Sequence, residues 1–149
     1  MSDMNKYNEG AYDSDAALRT KELLASDAPS VIRVVLAYLS TTAYETAKSK
    51  GWHDPGMEKT VGDDIALMHS ELSEALEDFR AGKGVRALTF GQENKHGLPK
   101  PEGVPSELAD VIIRIGDFSK VHEIDLGQAV NAKMQYNAGR EWRHGGKTL

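Results

Sequence analysis

The sequence predicts an all-α protein, a bundle of four to five helices. Apolar residues recur at helical spacing through several segments, which are separated by short stretches that contain glycine, proline or capping residues. A chain of 149 residues with 40% hydrophobic residues can bury the core of one domain. No internal repeat or change of composition divides the chain. We therefore expect a single all-α domain over residues 15–149, preceded by a flexible N-terminal arm over residues 1–14.

The composition limits the classes of partner. The formal net charge is −5 and the sequence pI is about 5.5, so a phosphate backbone or an anionic membrane surface would repel the chain on average. The chain has no cysteine, which excludes disulfides and thiolate metal sites. It has no run of 18 apolar residues and no signal-peptide pattern at its N-terminus. We expect a cytoplasmic protein whose partner is a small molecule, with no nucleic acid and no membrane.

Two helical segments precede the acidic part of the chain. Residues 15–25 have weak helical character, and Ser30 is the expected cap of a helix that runs to about Lys50. The first half of this helix is apolar on almost all sides, so we expect it to be well buried. Its β-branched pairs at 31–32 and 34–35 would also fit a strand, but the apolar pattern is too long for one strand.

The next segment predicts a helix that begins at a cap on Thr60 or Asp63 and ends near Arg80. Its apolar stripe consists of Ile65, Met68, Leu72, Ala75, Leu76 and Phe79. At about 100° per residue, Glu71 and Glu74 fall on one edge of that stripe. These carboxylates are therefore expected beside the core and not on the solvent side of the helix.

A second acidic helix, from about Pro105 to His122, repeats this arrangement. Its apolar stripe consists of Leu108, Val111, Ile112, Ile115 and Phe118. Glu107 and Asp110 lie on the edge of that stripe and are again three residues apart.

The two acidic pairs can converge on one point. Four carboxylates that close repel one another and are costly to desolvate unless a cation neutralises them. An all-oxygen group of ligands suits a hard cation such as Mg²⁺, for which Mn²⁺ can substitute. The predicted metal ligands are Glu71, Glu74, Glu107 and Asp110. The alternative is that these acids lie on solvated helix faces, where Glu and Asp are common.

The other segments carry weaker signals. Residues 82–104 are rich in glycine, proline and lysine and are expected to form a loop, either a functional one that folds over an anionic ligand or a surface insertion. Asp125 is the expected cap of the last helix, in which Lys133, Asn137 and Arg140 share one face.

The acidic motifs resemble a known signature. An ExxExxE motif that begins at Glu71, followed by an ExxD motif that begins at Glu107, is similar to the metal-binding signature of the MazG-like superfamily, the all-α nucleoside triphosphate pyrophosphatases. This superfamily includes the dimeric dUTPases, the dCTP pyrophosphatases and the phosphoribosyl-ATP pyrophosphohydrolases. The resemblance covers residues 52–147, and the segment between the two motifs is at the long end of the usual range.

The resemblance implies a fold, an assembly and an activity. The fold is a MazG-like bundle, assembled as a homodimer or as a homotetramer built from two dimers. The activity is Mg²⁺-dependent hydrolysis of a nucleoside or deoxynucleoside triphosphate to the monophosphate and pyrophosphate, in the sanitation or control of the nucleotide pool. Glu71 and Glu74 would be the catalytic residues as well as metal ligands, with Glu74 orienting the attacking water.

The resemblance also implies roles for residues outside the acidic motifs. Trp52 and His53 would help to form the pocket for the base, although Trp52 alternatively covers the end of the core. Lys133, Asn137 and Arg140 would hold the triphosphate, although a solvated polar face is the alternative.

Two other functions stay open. One is a phosphoribosyl-ATP pyrophosphohydrolase-like enzyme, and the other is a non-catalytic dimeric helical module with a binding or regulatory role. A ferritin-like di-iron bundle is disfavoured, because Asp110 stands where its ExxH pattern needs histidine. The sequence also has no P-loop, no G-x-G-x-x-G and no G-x-S-x-G motif.

Overall fold

A computed structural model describes residues 27–141 of the chain. Within that range the protein forms four helices and one two-stranded antiparallel sheet. The helices are α1 (Ala28–Ser49), α2 (Val61–Arg80), α3 (Val104–Val121) and α4 (Leu126–Ala138), and the strands are β1 (Thr89–Glu93) and β2 (Pro99–Glu102). The prediction of a mostly helical protein is confirmed. The expected arm at 1–14, the weak helix at 15–25 and the C-terminal residues 142–149 lie outside the described residues.

Local capping chemistry sets where the helices begin. At the start of α2, the Thr60 hydroxyl accepts a hydrogen bond from the Asp63 backbone N–H at 3.1 Å, and the Asp63 carboxylate accepts one from the Thr60 N–H at 2.8 Å. At the start of α4, the Asp125 carboxylate accepts a hydrogen bond from the Gln128 N–H at 2.8 Å. The expected cap at Ser30 is wrong, because α1 begins before it, where a proline suits the first turn.

Residues 89–102 form a β-hairpin where the sequence predicts a loop. The Asn94 side-chain oxygen closes the turn, since it accepts hydrogen bonds from the backbone N–H groups of His96 at 2.9 Å and Leu98 at 3.1 Å. Gly97 has a φ of 73°, which a residue with a side chain rarely adopts. The loop prediction is therefore wrong for this part of the segment. The strands are too short to show an alternating apolar pattern in the sequence, and the turn between them brings them together.

The four helices lie side by side in the order α2, α3, α1, α4. Close contacts join α2 to α3, α3 to α1 and α1 to α4. The crossing of α1 and α3 needs a small residue, because a Cβ on Gly116 would lie 2.6 Å from Leu39 Cδ2 and 3.3 Å from Ser40 Cα. At the start of α3, the Ser106 hydroxyl donates a hydrogen bond to the Pro101 carbonyl at 3.2 Å, which attaches the hairpin to the helices.

Few large apolar side chains are covered in this arrangement. The buried hydrophobic residues of the described chain are Ala43 and Ala75. Val34 is 68% exposed and Tyr38 is 72% exposed, so the prediction that the first half of α1 is well buried is wrong for the single chain. The reason is that helices in one row cover one another's sides and leave the faces of the row open. No helix within residues 27–141 has the length and apolar character needed to cross a membrane.

Candidate metal centre

Three carboxylates meet where α2 contacts α3, a line of contact called here the α2–α3 seam. Glu71 and Glu74 come from α2 and Glu107 comes from the first turn of α3, and one oxygen of each lies within 4.8 Å of the other two. Glu71 and Glu74 share a helix face because they are three residues apart, and the packing of α3 against α2 brings Glu107 to them. Three of the four predicted ligands are thus brought together.

Glu107 is the least compensated acid of this group. It is 9% exposed, and no ion pair or side-chain hydrogen bond of residues 27–141 involves its carboxylate. Burial, followed by the negative charges of Glu74, Asp110 and Glu71, raises the pKa of its carboxyl. The ionised form of a nearly buried carboxyl beside other carboxylates is disfavoured, and a bound cation would stabilise it; Lys83 supplies a weaker, more distant positive charge.

Asp110 lies at the exposed edge of the group and outside its 4.8 Å limit. Desolvation and then the charge of Glu71 raise the pKa of Asp110, while the positive charges of Arg114 and Lys100 act in the opposite direction. Asp110 therefore interacts electrostatically with the cluster without joining it. The structure shows three converging carboxylates, where the sequence predicts four.

Arg114 contacts the cluster directly, and the sequence analysis missed it. Its Nε lies 2.7 Å and its Nη2 2.6 Å from Oε1 of Glu71. The signal for Arg114 was a single arginine in an otherwise apolar run, four residues after Asp110 and seven after Glu107. Those spacings place it on the same face of α3 as the two acids.

Ion pairs neutralise the other acids along the α2–α3 seam. The pairs are Lys59–Asp64 at 2.7 Å, His53–Asp117 at 2.8 Å, Arg114–Glu71 at 2.6 Å and Lys83–Asp78 at 2.8 Å. The His53 ring carries a positive charge in this pair only when it is protonated. Glu74, Glu107 and Asp110 form no ion pair within residues 27–141, so the unpaired negative charge of the seam is concentrated at these three acids.

Trp52 and His53 border a cavity of about 420 Å³ at the other end of the same seam. The His53 ring stacks on Tyr44 with centroids 4.9 Å apart, and its Nε2 lies 2.8 Å from Asp117 Oδ1. Trp52 is 56% exposed, so it does not cover the core of the described chain. Asp117 and Arg114 together line a separate cavity of about 20 Å³, and Asp117 also borders the cavity beside His53.

Lys133, Asn137 and Arg140 do not lie at the acidic cluster within one chain. Lys133 and Asn137 belong to α4, which packs against α1, whereas the cluster lies between α2 and α3. Arg140 lies just beyond the end of α4, because the helix ends at Ala138, so the prediction that it shares a helical face with the other two is wrong. The Lys133 ammonium and the Arg140 guanidinium instead lie over the Tyr136 ring, 5.4 and 5.6 Å from its centroid.

A larger cavity, of about 660 Å³, lies away from the cluster, between α1, the end of α3 and the start of α4. An ion pair between Arg33 and Asp125, at 2.6 Å, stands at its edge. It contains no group of converging acids, so size alone does not make it the candidate site.

Comparison of the chain with models of protein families, with curated proteins and with solved structures gives no match. The residues and their geometry are therefore the basis for assigning a function.

Proposed function

We propose that the protein is a Mg²⁺-dependent nucleoside triphosphate pyrophosphohydrolase of the MazG-like kind. It would hydrolyse the bond between the α- and β-phosphates and release a monophosphate and pyrophosphate. The observation that carries the proposal is the convergence of Glu71, Glu74 and Glu107, with Glu107 nearly buried and uncompensated. The substrate class comes from the resemblance of the two acidic motifs.

The ligand atoms fit a hard divalent cation. All three are carboxylate oxygens, and no sulfur or imidazole belongs to the group. Mg²⁺ usually binds one or two carboxylates together with water and substrate phosphates, so an incomplete protein shell suits it. When bound, the ion would neutralise phosphate charge and lower the pKa of a coordinated water.

The surroundings of each acid suggest different roles. Glu71 is 7% exposed and held by packing at the seam, which suits a fixed ligand. Glu74 is exposed, and its one side-chain hydrogen bond within the described chain is a long contact of 3.4 Å from the Ser70 hydroxyl. A carboxylate with water access and free acceptor capacity can orient a nucleophilic water, so Glu74 is the proposed general base.

The cavity beside Trp52 and His53 is the proposed site of the base. Its lining includes rings, apolar groups and charged side chains, which suits a flat heterocycle with polar edges. Because this cavity and the acidic cluster lie along the same seam, the sugar and phosphates would extend from the cavity toward Arg114 and the cluster.

We also propose that the protein works as a homodimer or as a dimer of dimers. A single row of helices leaves large apolar side chains exposed, and domains normally cover such faces with a second layer. A second copy of the chain can supply that layer. The roles of Lys133, Asn137 and Arg140 in binding phosphates then require α4 of another copy, because α4 packs on α1 within its own chain.

The test is a screen of canonical and damaged nucleoside triphosphates, and of phosphoribosyl-ATP, in Mg²⁺. Release of both the monophosphate and pyrophosphate supports the proposal, and the preferred substrate decides between the two enzymatic functions. Glu107→Gln, which removes one charge at nearly constant shape, should lose the activity. If no substrate is hydrolysed and no divalent cation binds, the non-catalytic helical module is the better interpretation.

A further inference from the structure

Arg114 is bonded to one carboxylate of the candidate metal centre. Its Nε and Nη2 both donate to the same oxygen, Oε1 of Glu71, at 2.7 and 2.6 Å. The Arg114 side chain is 37% exposed and that of Glu71 is 9% exposed, so the acceptor is almost out of water. Charge-assisted hydrogen bonds of this length are among the stronger ones in proteins.

A guanidinium and a divalent cation compete for the same carboxylate. The cation has to share or displace the bond to Arg114, and a fixed positive charge nearby also repels it. Packing already orients Glu71 without Arg114. Glu71 is buried at the seam, and Ala75, one turn later on the same face of α2, is buried as well. Competition is therefore the larger effect.

We propose that Arg114 is an internal counter-cation that stabilises the site without metal and lowers its affinity for divalent cations. The inference rests on the proposed metal site and adds a residue that sets its affinity. A cation that binds Glu71 replaces the interaction with Arg114. The released guanidinium has another acceptor within reach, because Asp110 lies four residues earlier on the same helix.

The test uses Mn²⁺ alone as the probe, on wild-type protein, Arg114→Met and Arg114→Lys after treatment with a chelator. Arg114→Met removes the charge and the donors but keeps a long side chain. It should bind Mn²⁺ about ten- to a hundredfold more tightly in calorimetric titration, because no charge-assisted hydrogen bond has to be broken. Arg114→Lys keeps the charge and should stay close to wild type.

Thermal melting gives a second readout. The chelated Arg114→Met protein should melt on the order of 10 °C below wild type, because Glu71 becomes a buried unpaired charge. Saturating Mn²⁺ should recover most of that loss. If the role of Arg114 were purely structural, the melting temperature of Arg114→Met would fall by the same amount with and without Mn²⁺. That result would overturn the proposal.

Lys59→Met is the matched control. Lys59 forms an ion pair of similar length with Asp64 at the same seam, but it does not contact the cluster. Its removal should leave Mn²⁺ affinity unchanged. If wild type binds Mn²⁺ and Arg114→Met binds it no more tightly, the proposed role of Arg114 is overturned but the metal site is not. Absence of Mn²⁺ binding by wild type overturns the metal site and this inference together. Failure of Arg114→Met to fold even in Mn²⁺ also contradicts it, because the ion is expected to replace the missing charge.

Discussion

Glu107→Gln removes the charge of Glu107 while nearly keeping its shape, and the consequences follow from its surroundings. Burial, and then the charges of Glu74, Asp110 and Glu71, raise the pKa of Glu107 above its usual value of 4.5. Because the pKa is higher in the folded protein than in the unfolded chain, ionisation of Glu107 favours unfolding. Its favourable contribution to stability is therefore complete below about pH 4.5 and is lost as the pH rises through the folded-state pKa.

The size of the effect can be estimated from the spacing of the acids. Two unit charges at the 4.8 Å limit of the cluster repel each other by about 0.9 kcal/mol in water and by about 3.5 kcal/mol at an effective dielectric constant of 20. Glu74 is exposed to solvent and Glu71 is partly neutralised by Arg114, so the lower half of this range applies. We expect Glu107→Gln to raise the free energy of unfolding by about 1–2 kcal/mol near neutral pH, or about 2–8 °C in Tm.

Melting followed by circular dichroism, with chelator and with Mg²⁺, tests this estimate. Without metal, Glu107→Gln should exceed wild type near neutral pH and equal it below about pH 4, where Glu107 is protonated in both states. Mg²⁺ should stabilise wild type by mass action and the variant much less. Glu77→Gln is the matched control, because Glu77 is exposed on the same helix and lies outside the cluster. The reasoning would be refuted if Glu107→Gln without metal were no more stable than wild type near neutral pH. It would also be refuted if Mg²⁺ raised the Tm of Glu107→Gln as much as that of wild type.

Three further predictions concern other parts of the protein. Asp110→Asn should abolish pyrophosphate release, because Asp110 is the predicted fourth carboxylate beside the metal. It should keep or raise the Tm without metal, because partial desolvation and the charge of Glu71 disfavour its ionised form; normal turnover would contradict this prediction. Lys133→Ala and Arg140→Ala should each weaken the binding of a non-hydrolysable triphosphate about ten- to a hundredfold in calorimetric titration, because a charge-assisted hydrogen bond is worth roughly 1.5–3 kcal/mol. Binding of the matching monophosphate should barely change. Equal losses for both ligands would place these residues elsewhere in the pocket. Leu76→Lys, at a position that is 46% exposed, should convert the proposed dimer into monomers in sedimentation analysis, and an unchanged mass would exclude this face as the interface.

The helices could be predicted because their signals are local. The periodicity of α2 and the capping residues Thr60 and Asp125 act within a few positions along the chain. The hairpin was missed because it depends on the turn at Asn94 and on one glycine with positive φ, and its strands are short and polar. The burial of α1 was predicted wrongly for the single chain because a periodic pattern shows that a face is apolar and does not show what covers it.

The candidate site was predictable to the extent that it follows from spacing on one helix. Glu71 and Glu74 share a face of α2 because they are three residues apart. Glu107 and Asp110 share a face of α3 for the same reason. Arg114 was missed because its partner Glu71 is 43 residues distant, and the sequence does not show which acid of α2 a residue of α3 meets. The separation of α4 from the cluster could not be predicted either, because it depends on the order in which the helices pack.

The two faces of the helix row differ in chemistry: one is apolar and the other carries Glu74. Assembly through the apolar face therefore affects whether water and substrate can reach Glu74. At about 100° per residue, the exposed apolar side chains of α2 lie about 80–140° to one side of Glu71, which faces α3. These side chains are Val61, Ile65, Leu72, Leu76 and Phe79. Glu74 lies about 60° to the other side of Glu71. A second copy that covers the apolar face would therefore complete a two-layer core and leave Glu74 open to water and substrate. Leu76→Lys should then lose the dimer and keep its affinity for Mn²⁺, whereas simultaneous loss of both would mean that the second copy contributes to the metal site itself.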